Sequence, residues 1–169
     1  MTAVVLTFIG KLWYFLPAAV ANAAPVLSRS EFFKKVPNPP LDFGGKLWDG
    51  NRIFGDGKSF FGFLLGVAFG TLTGFLQGIP LTGFLLSTGA LFGDVVGAFI
   101  KRRMGLPRGK PIFLLDQLNF VAGAVVFTHS TGFFSWTLSD VALLSLIVIP
   151  FHRLFGILGH YLKIKREPW

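Results

Sequence analysis

Long apolar runs separated by short polar stretches dominate the chain. Five of them approach or exceed the roughly 20 residues that a helix needs to cross ~30 Å of hydrocarbon. They are Thr2–Leu27, Ser59–Gln77, Leu81–Ile100, Leu118–Trp136 and Ser139–Leu162. None shows the ten-residue alternation of a membrane barrel strand. The pattern predicts an all-α integral membrane protein, a single transmembrane domain over residues 1–169, with five transmembrane helices and loops at 28–58 and 101–117. Gly62, Gly66, Gly70, Gly74 and Gly78 recur every four residues in the second run, and Gly89, Gly93 and Gly97 in the third. Lipid gives helices no hydrophobic reason to associate, so such small-residue stripes predict close backbone packing.

Composition agrees with this pattern. Hydrophobic residues make up 52% and charged residues only 14%, and mean hydropathy is +0.63. A disordered chain, a coiled coil and an ordinary soluble nucleic-acid binder are excluded, and no nucleic-acid partner is expected. The absence of cysteine removes disulfides, thiolate metal sites and cysteine nucleophiles.

Charge adds direction. Fourteen of the sixteen basic residues lie in the first loop, the 101–117 loop or the tail. The turns near Gly78–Leu81 and Gly132–Leu138 carry none. Basic loops stay inside. The expectation is a multi-pass protein of the cell membrane, N-terminus outside, C-terminus cytoplasmic, its active site facing the cytoplasm. Ala21-Asn22-Ala23 resembles a leader-cleavage site, but no basic residue precedes the apolar run. Lys11, inside the first run, is expected to snorkel outward beside Trp13 and Tyr14 or to precede a late helix start.

The acids are few, so their positions carry information. Asp56 precedes the second run, Asp94 lies within the third and Asp116 opens the fourth, all toward the basic face. An intramembrane carboxylate is expensive and marks function by default. Simple bridges from Asp94 to Lys101 or Arg102, and helix capping by Asp56 and Asp116, are the structural alternatives. Hard oxygen ligands without clustered His or Cys suit Mg²⁺, which is commonly shared between carboxylates and substrate phosphates. Lys101, Arg102 and Arg103 follow Asp94 by two turns or more and suit phosphate. The first loop, from Asn38 through Lys46, Arg52 and Asp56 to Lys58, is rich in Gly and Pro and has the ingredients of a phosphate nest, or of a surface turn. Phe43, Trp48 and Phe54 offer stacking surfaces or interface anchors. Arg153, in the fifth run, is expected to be buried against an anion such as a substrate phosphate or Asp94. Beside it, His152 reads more readily as a hydrogen-bonded interior histidine than as a catalyst, and His129 and His160 look interfacial.

Gly93-Asp94, then Lys101-Arg102-Arg103, then Asp116-Gln117-Leu118-Asn119 resemble the signature of CDP-diacylglycerol synthases. The segment from Asn38 to Ser59 and the ending Lys165–Trp169 are more similar to the archaeal branch, the CDP-archaeol synthase family. The chain departs from that signature at Ala98, where a Ser is expected, and at Asn119, where a second acid is expected. The resemblance implies Mg²⁺-dependent transfer of CMP from CTP to an archaeal ether-lipid phosphate, unsaturated archaetidic acid, with CDP-archaeol and pyrophosphate as products. It also implies that Asp56, Asp94 and Asp116 form the catalytic metal site. Asn38, Lys46, Arg52, Lys58, Lys101, Arg102 and Arg103 would bind nucleotide and phosphate. The alternative from another class is a small non-enzymatic anion or lipid transporter, which predicts charges near the midplane and on both faces. A CDP-alcohol phosphotransferase would need a dense multi-aspartate helix that the chain lacks.

Overall fold

The computed structural model describes residues 2–107, 109–132 and 134–161. Arg108, the tail cations Lys163, Lys165 and Arg166, and the Lys165–Trp169 ending lie outside the described residues, as do the side chains of His152 and His160. Five α-helices carry the fold: α1 (Thr2–Ala23), α2 (Phe60–Leu76), α3 (Pro80–Arg103), α4 (Leu115–Ser130) and α5 (Leu138–Tyr161). Short 3₁₀ turns at Ala24–Arg29 and Glu31–Phe33 follow α1. No strand forms among the described residues. By length and apolarity together, α3 alone of the described helices suffices to cross a membrane; Phe60–Leu76 and Leu138–Phe151 are apolar but shorter.

Local chemistry explains the helix boundaries. Gly78 takes φ +77° just past the end of α2, a left-handed conformation that costs glycine little. It meets nothing a side chain would touch, so it stops the helix and does not continue the packing stripe as expected. Pro80 begins α3, where its missing N–H leaves no bond unmade. That helix runs a turn beyond expectation, to Arg103, because three cations sit favourably at its negative C-terminal end. The fourth helix stops at Ser130, six residues before the expected end. Gly132 adopts φ +70° there, and Trp136 folds back so that its indole N–H donates to Thr128 Oγ1 at 2.8 Å.

The bundle is small inside and large outside. Ala18, Ala21, Ala90 and Ala124 are fully buried, whereas Leu64, Phe75, Val126 and Leu146 are each more than 60% exposed. A larger cluster of Phe15, Leu86, Phe120, Val121, Trp136 and Leu144 fills the centre. Contiguous apolar surface on this scale needs an apolar surrounding.

Glycines set the helix spacing. A methyl group on Gly74 would lie 2.5 Å from Gly83 Cα, and one on Gly89 would lie 2.6 Å from Gly123 O. One on Gly93 would collide with the Asn119 carbonyl, and one on Gly97 with the Asn119 carboxamide. The Gly of Gly93-Asp94 therefore lets α4 press against α3 beside the acid. Two expectations for charged residues change. Lys11 does not snorkel but pairs with Asp140 at the start of α5, which also accepts from Thr137 N at 2.8 Å. Arg153 is exposed, not buried against an anion, because its stretch of α5 turns that side chain away from the bundle.

Gly93→Ala should overpack the α3–α4 contact and cost about 1–3 kcal/mol. Thermal melting in detergent should show a lower Tm. Gly10→Ala, with nothing within 4 Å of the new methyl, should leave it unchanged or slightly raised.

Candidate active site

The first loop folds as a closed unit beneath the helix ends. Leu41 N donates to Lys58 O at 2.8 Å and Phe60 N to Pro39 O at 3.0 Å, which ties the loop's two arms together where α2 begins. Inside this clasp, Ile53 N donates to Gly45 O at 3.1 Å and Leu47 N to Asn51 O at 3.0 Å. The centre of the loop is Asp42. Its buried carboxylate accepts from Arg52 Nη2 at 2.5 Å and Nε at 3.2 Å, and from the amides of Gly55 (2.8 Å), Phe54 (3.0 Å) and Gly44 (3.3 Å). Gly55 turns with φ +86° to present that N–H. Burial pushes the Asp42 carboxyl up, but Arg52 and the three amides outweigh it and hold the group well below the usual carboxylate range. The glycines and cations of the first loop draw the expectation to themselves, and Asp42 is not among the expected residues. An acid followed by Phe-Gly-Gly is an Asx-turn signal that could have found it.

This loop is pinned to the bundle by charge. Arg103 donates to Asp49 Oδ1 and to the Arg52 carbonyl, each at 2.6 Å, and its guanidinium lies 5.2 Å from the Phe99 ring centroid. Lys58 pairs with Asp94 of α3. Lys101 holds both oxygens of Asp116 at 2.9 Å, and Asp116 also accepts from Ile112 N at 2.9 Å. Neither of the bridges considered for Asp94, to Lys101 or to Arg102, forms. Asp56 pairs with Arg52 at 2.7 Å but leaves its side chain mostly exposed.

A cavity of about 150 Å³ opens between this loop and the helix ends. It brings together six of the expected residues: Asp56, Lys58, Asp94, Lys101, Arg102 and Asp116. Ala98 and Asn119, where the chain departs from the signature, also line it. Phe54 forms one wall and packs on Phe99, whereas Phe43 packs on Phe60 and Trp48 is exposed. The other four expected residues stand back from the cavity. Arg52 and Arg103 brace the loop, Lys46 is exposed, and Asn38 donates to Ser28 Oγ at 3.1 Å. Arg102 lines the cavity, whereas Arg103, whose Nε is likewise buried without a partner, is held at the loop through its other nitrogens. The Arg102 Nε is buried with no hydrogen-bond partner, a donor left unmatched beside the cavity. Such a group costs free energy unless an acceptor arrives. A second cavity of about 210 Å³ shares Gly57, Lys58 and Asp94 with the first.

Among the described residues no three acids or histidines group closely enough to cage a metal unaided. The three carboxylates that line the cavity still suit Mg²⁺, because that ion takes one or two carboxylates and completes its shell with water and substrate phosphate. Lysines beside those acids, an unmatched guanidinium donor and the N-terminus of α4 make the cavity a polyanion site.

Fold and cavity together define a class: a helical bundle with an apolar exterior and a charged, phosphate-suited chamber at one end. A family model described as CarS-like CDP-archaeol synthase matches residues 3–169. The CDP-archaeol synthase of Methanopyrus kandleri is 41% identical over 175 residues, covering 95% of this chain and 94% of the relative. That of Sulfolobus acidocaldarius is 41% identical over 164 residues, covering 94% and 96%. A solved structure described as an intramembrane enzyme for archaeal membrane lipids biosynthesis superposes with a TM-score of 0.78 at 34% identity, covering 89% of this chain and 94% of that one. The chain belongs to the CDP-archaeol synthase family. It is a membrane protein and an enzyme, a cytidylyltransferase, so the transporter alternative falls away.

Asp42→Asn should destabilise the loop by about 1–3 kcal/mol. The depressed pKa fixes the sign. The carboxylate's contribution is present above its unfolded pKa, near 3.9, and fades as pH falls toward the folded value. The Tm difference between wild type and Asp42→Asn should therefore be full at pH 6 and shrink steadily below about pH 4.

Proposed function

We propose that this enzyme transfers CMP from CTP to the phosphate of an archaeal ether lipid, unsaturated archaetidic acid, giving CDP-archaeol and pyrophosphate. The observation that carries the reading is the single cavity lined by Asp56, Asp94, Asp116, Lys58, Lys101 and Arg102, with the Arg102 donor unmatched. Asp94 and Asp116, with Asp56, would hold Mg²⁺. The ion, when bound, supplies neutralisation of triphosphate charge.

The chain's own residues do the rest by positioning. Lys58 and Lys101 already stand at the cavity wall and place positive charge against phosphate oxygens. Arg102 donates its free Nε–H to the same group. A lipid phosphate oxygen forms a bond to the α-phosphorus of CTP as the bond from that phosphorus to the α–β bridging oxygen breaks. The electron pair leaves with pyrophosphate. The nucleophile is already anionic, so no general base is required, and the missing Ser hydroxyl at Ala98 is no handicap. Phe54 offers a face for the base. Arg52 and Arg103 serve the site by holding the loop. Asn38 and Lys46 lie farther out and would contact the nucleotide only at its periphery.

All five helices would span the membrane as one domain, with loops 28–58 and 101–117 in the cytoplasm, the N-terminus outside and the C-terminus inside. The one-sided basic loops support this orientation.

Purified protein in detergent should transfer labelled CMP from CTP to the lipid phosphate. Chelation should stop turnover and added Mg²⁺ restore it. Asp94→Asn and Asp56→Asn should each lower kcat by about 100-fold or more while melting stays cooperative; full activity would remove that carboxylate from the site. In a single-cysteine series, position 46 should label only from the cytoplasmic side.

A further inference from the structure

The three cavity acids differ in what holds them. Asp94 and Asp116 stand on α3 and α4, where the helix fixes the backbone. Asp56 stands in the first loop between Gly55 and Gly57, and Gly55 takes φ +86°. A carboxylate between two glycines has little local order of its own, because glycine leaves the chain its widest conformational freedom. A metal ligand must nevertheless sit within about 0.5 Å of its working position. The place of Asp56 therefore comes from partners elsewhere in the chain.

Those partners settle the backbone first and the carboxylate second. Arg29 Nη2 donates to the Asp56 carbonyl at 2.6 Å. The carboxylate pairs through Oδ1 with Arg52 Nη1 at 2.7 Å, and the side chain remains 65% exposed where it lines the cavity. Another edge of the same guanidinium is taken by Asp42, whose side chain is fully buried: Nη2 meets Oδ1 at 2.5 Å and Nε meets Oδ2 at 3.2 Å. Arg103 donates to the Arg52 carbonyl at 2.6 Å, so the backbone behind that guanidinium is fixed as well. A guanidinium fork favours two-point pairing with one carboxylate. Because Asp42 occupies the two-point edge, Arg52 meets Asp56 at one oxygen.

We infer that Asp42 is a positioning residue for Asp56: it acts through Arg52, which it anchors and half-neutralises, so that Asp56 keeps a face open to a divalent cation. This rests on the metal reading above. Asp42 lines neither cavity, so its effect on the site passes through other residues. Without the Asp42 charge, the Arg52 fork is free to close on both oxygens of Asp56. A guanidinium held there competes with a metal ion for the same lone pairs. Groups that orient a ligating carboxylate from behind are commonly worth about 10–100-fold in metal affinity.

The test is a double-mutant cycle read by Mn²⁺ binding. Mn²⁺ is titrated into purified full-length protein, with and without CTP and with no lipid acceptor, and free ion is counted by electron paramagnetic resonance. Asp42→Asn should weaken binding about tenfold, measured well below its melting transition. In an Arg52→Gln background the same substitution should change binding by less than about twofold, because the arm through which Asp42 acts is gone. A larger loss in that background would mean that Asp42 works through the Phe54 and Gly55 amides or through its charge alone, and would overturn the assignment. Unchanged binding in Asp42→Asn alone would overturn it too. If Asp42→Asn does not fold, the comparison in the Arg52→Gln background still decides, since replacing both partners of a buried ion pair costs less than removing one. Asp56→Asn separates this inference from its parent reading. Wild-type Mn²⁺ binding in Asp56→Asn would take Asp56 out of the metal site and sink both. A failure of the inference alone leaves the Asp56→Asn loss in place.

Discussion

Carboxylates and cations drawn from separate parts of the chain neutralise one another at one end of an apolar bundle, and the site depends on that pairing. Asp94 on α3 meets Lys58 from the loop, Asp116 on α4 meets Lys101 on α3, and Asp49 in the loop meets Arg103 on α3. A charge near a low-dielectric wall is costly alone and tolerable when paired. Each pair therefore closes a loop or crosses between elements, and together they seat the polar segment on the helix ends. The same charges leave the cavity close to balanced, so a polyanion and a divalent cation can enter as a unit without a large uncompensated charge on either side.

Packing decides where those charges stand. The α3–α4 contact is so close that Gly93 and Gly97 lie against the backbone and carboxamide of Asn119. This contact brings Asp94 and Asp116 to one cavity although they come from different helices. The α2–α3 contact is backbone to backbone at the turn, where Gly74 meets Gly83, and side chain to side chain toward the charged end, where Phe63 packs on Phe92. Small residues thus fix the distance in both pairs, with the partner on α3 growing from Gly83 to Ser87 to Leu91 toward the charged end.

The loop is where polar bonding replaces apolar packing. Five hydrogen bonds to the Asp42 carboxylate organise a segment with little apolar interior of its own. With Asp42 saturated, Arg52 and Arg103 have structural partners, and the cavity is left to Lys58, Lys101 and Arg102. The distinction between bracing cations and cavity cations is one of partners and not of residue type.

Much was legible from the chain alone. Apolar run length is a local property, so the five helices and their approximate limits follow from it. That Asp56, Asp94 and Asp116 share one cavity also follows, because Asp56 and Asp116 lie near helix starts, Asp94 lies within three turns of the end of α3, and the ends alternate between two faces. The family resemblance rests on local spacings in the same way. What one dimension does not contain is partnership. Asp94 pairs with Lys58, thirty-six residues away, and not with Lys101 on its own helix, because the loop folds back over α3. Lys11 finds Asp140 across the bundle, and Arg153 stands on an exposed face of α5. Gly78 and Gly62 belong to one stripe in the sequence, yet one ends a helix and the other faces a 3₁₀ turn. Periodicity specifies which face a residue occupies; only the three-dimensional arrangement specifies what that face meets.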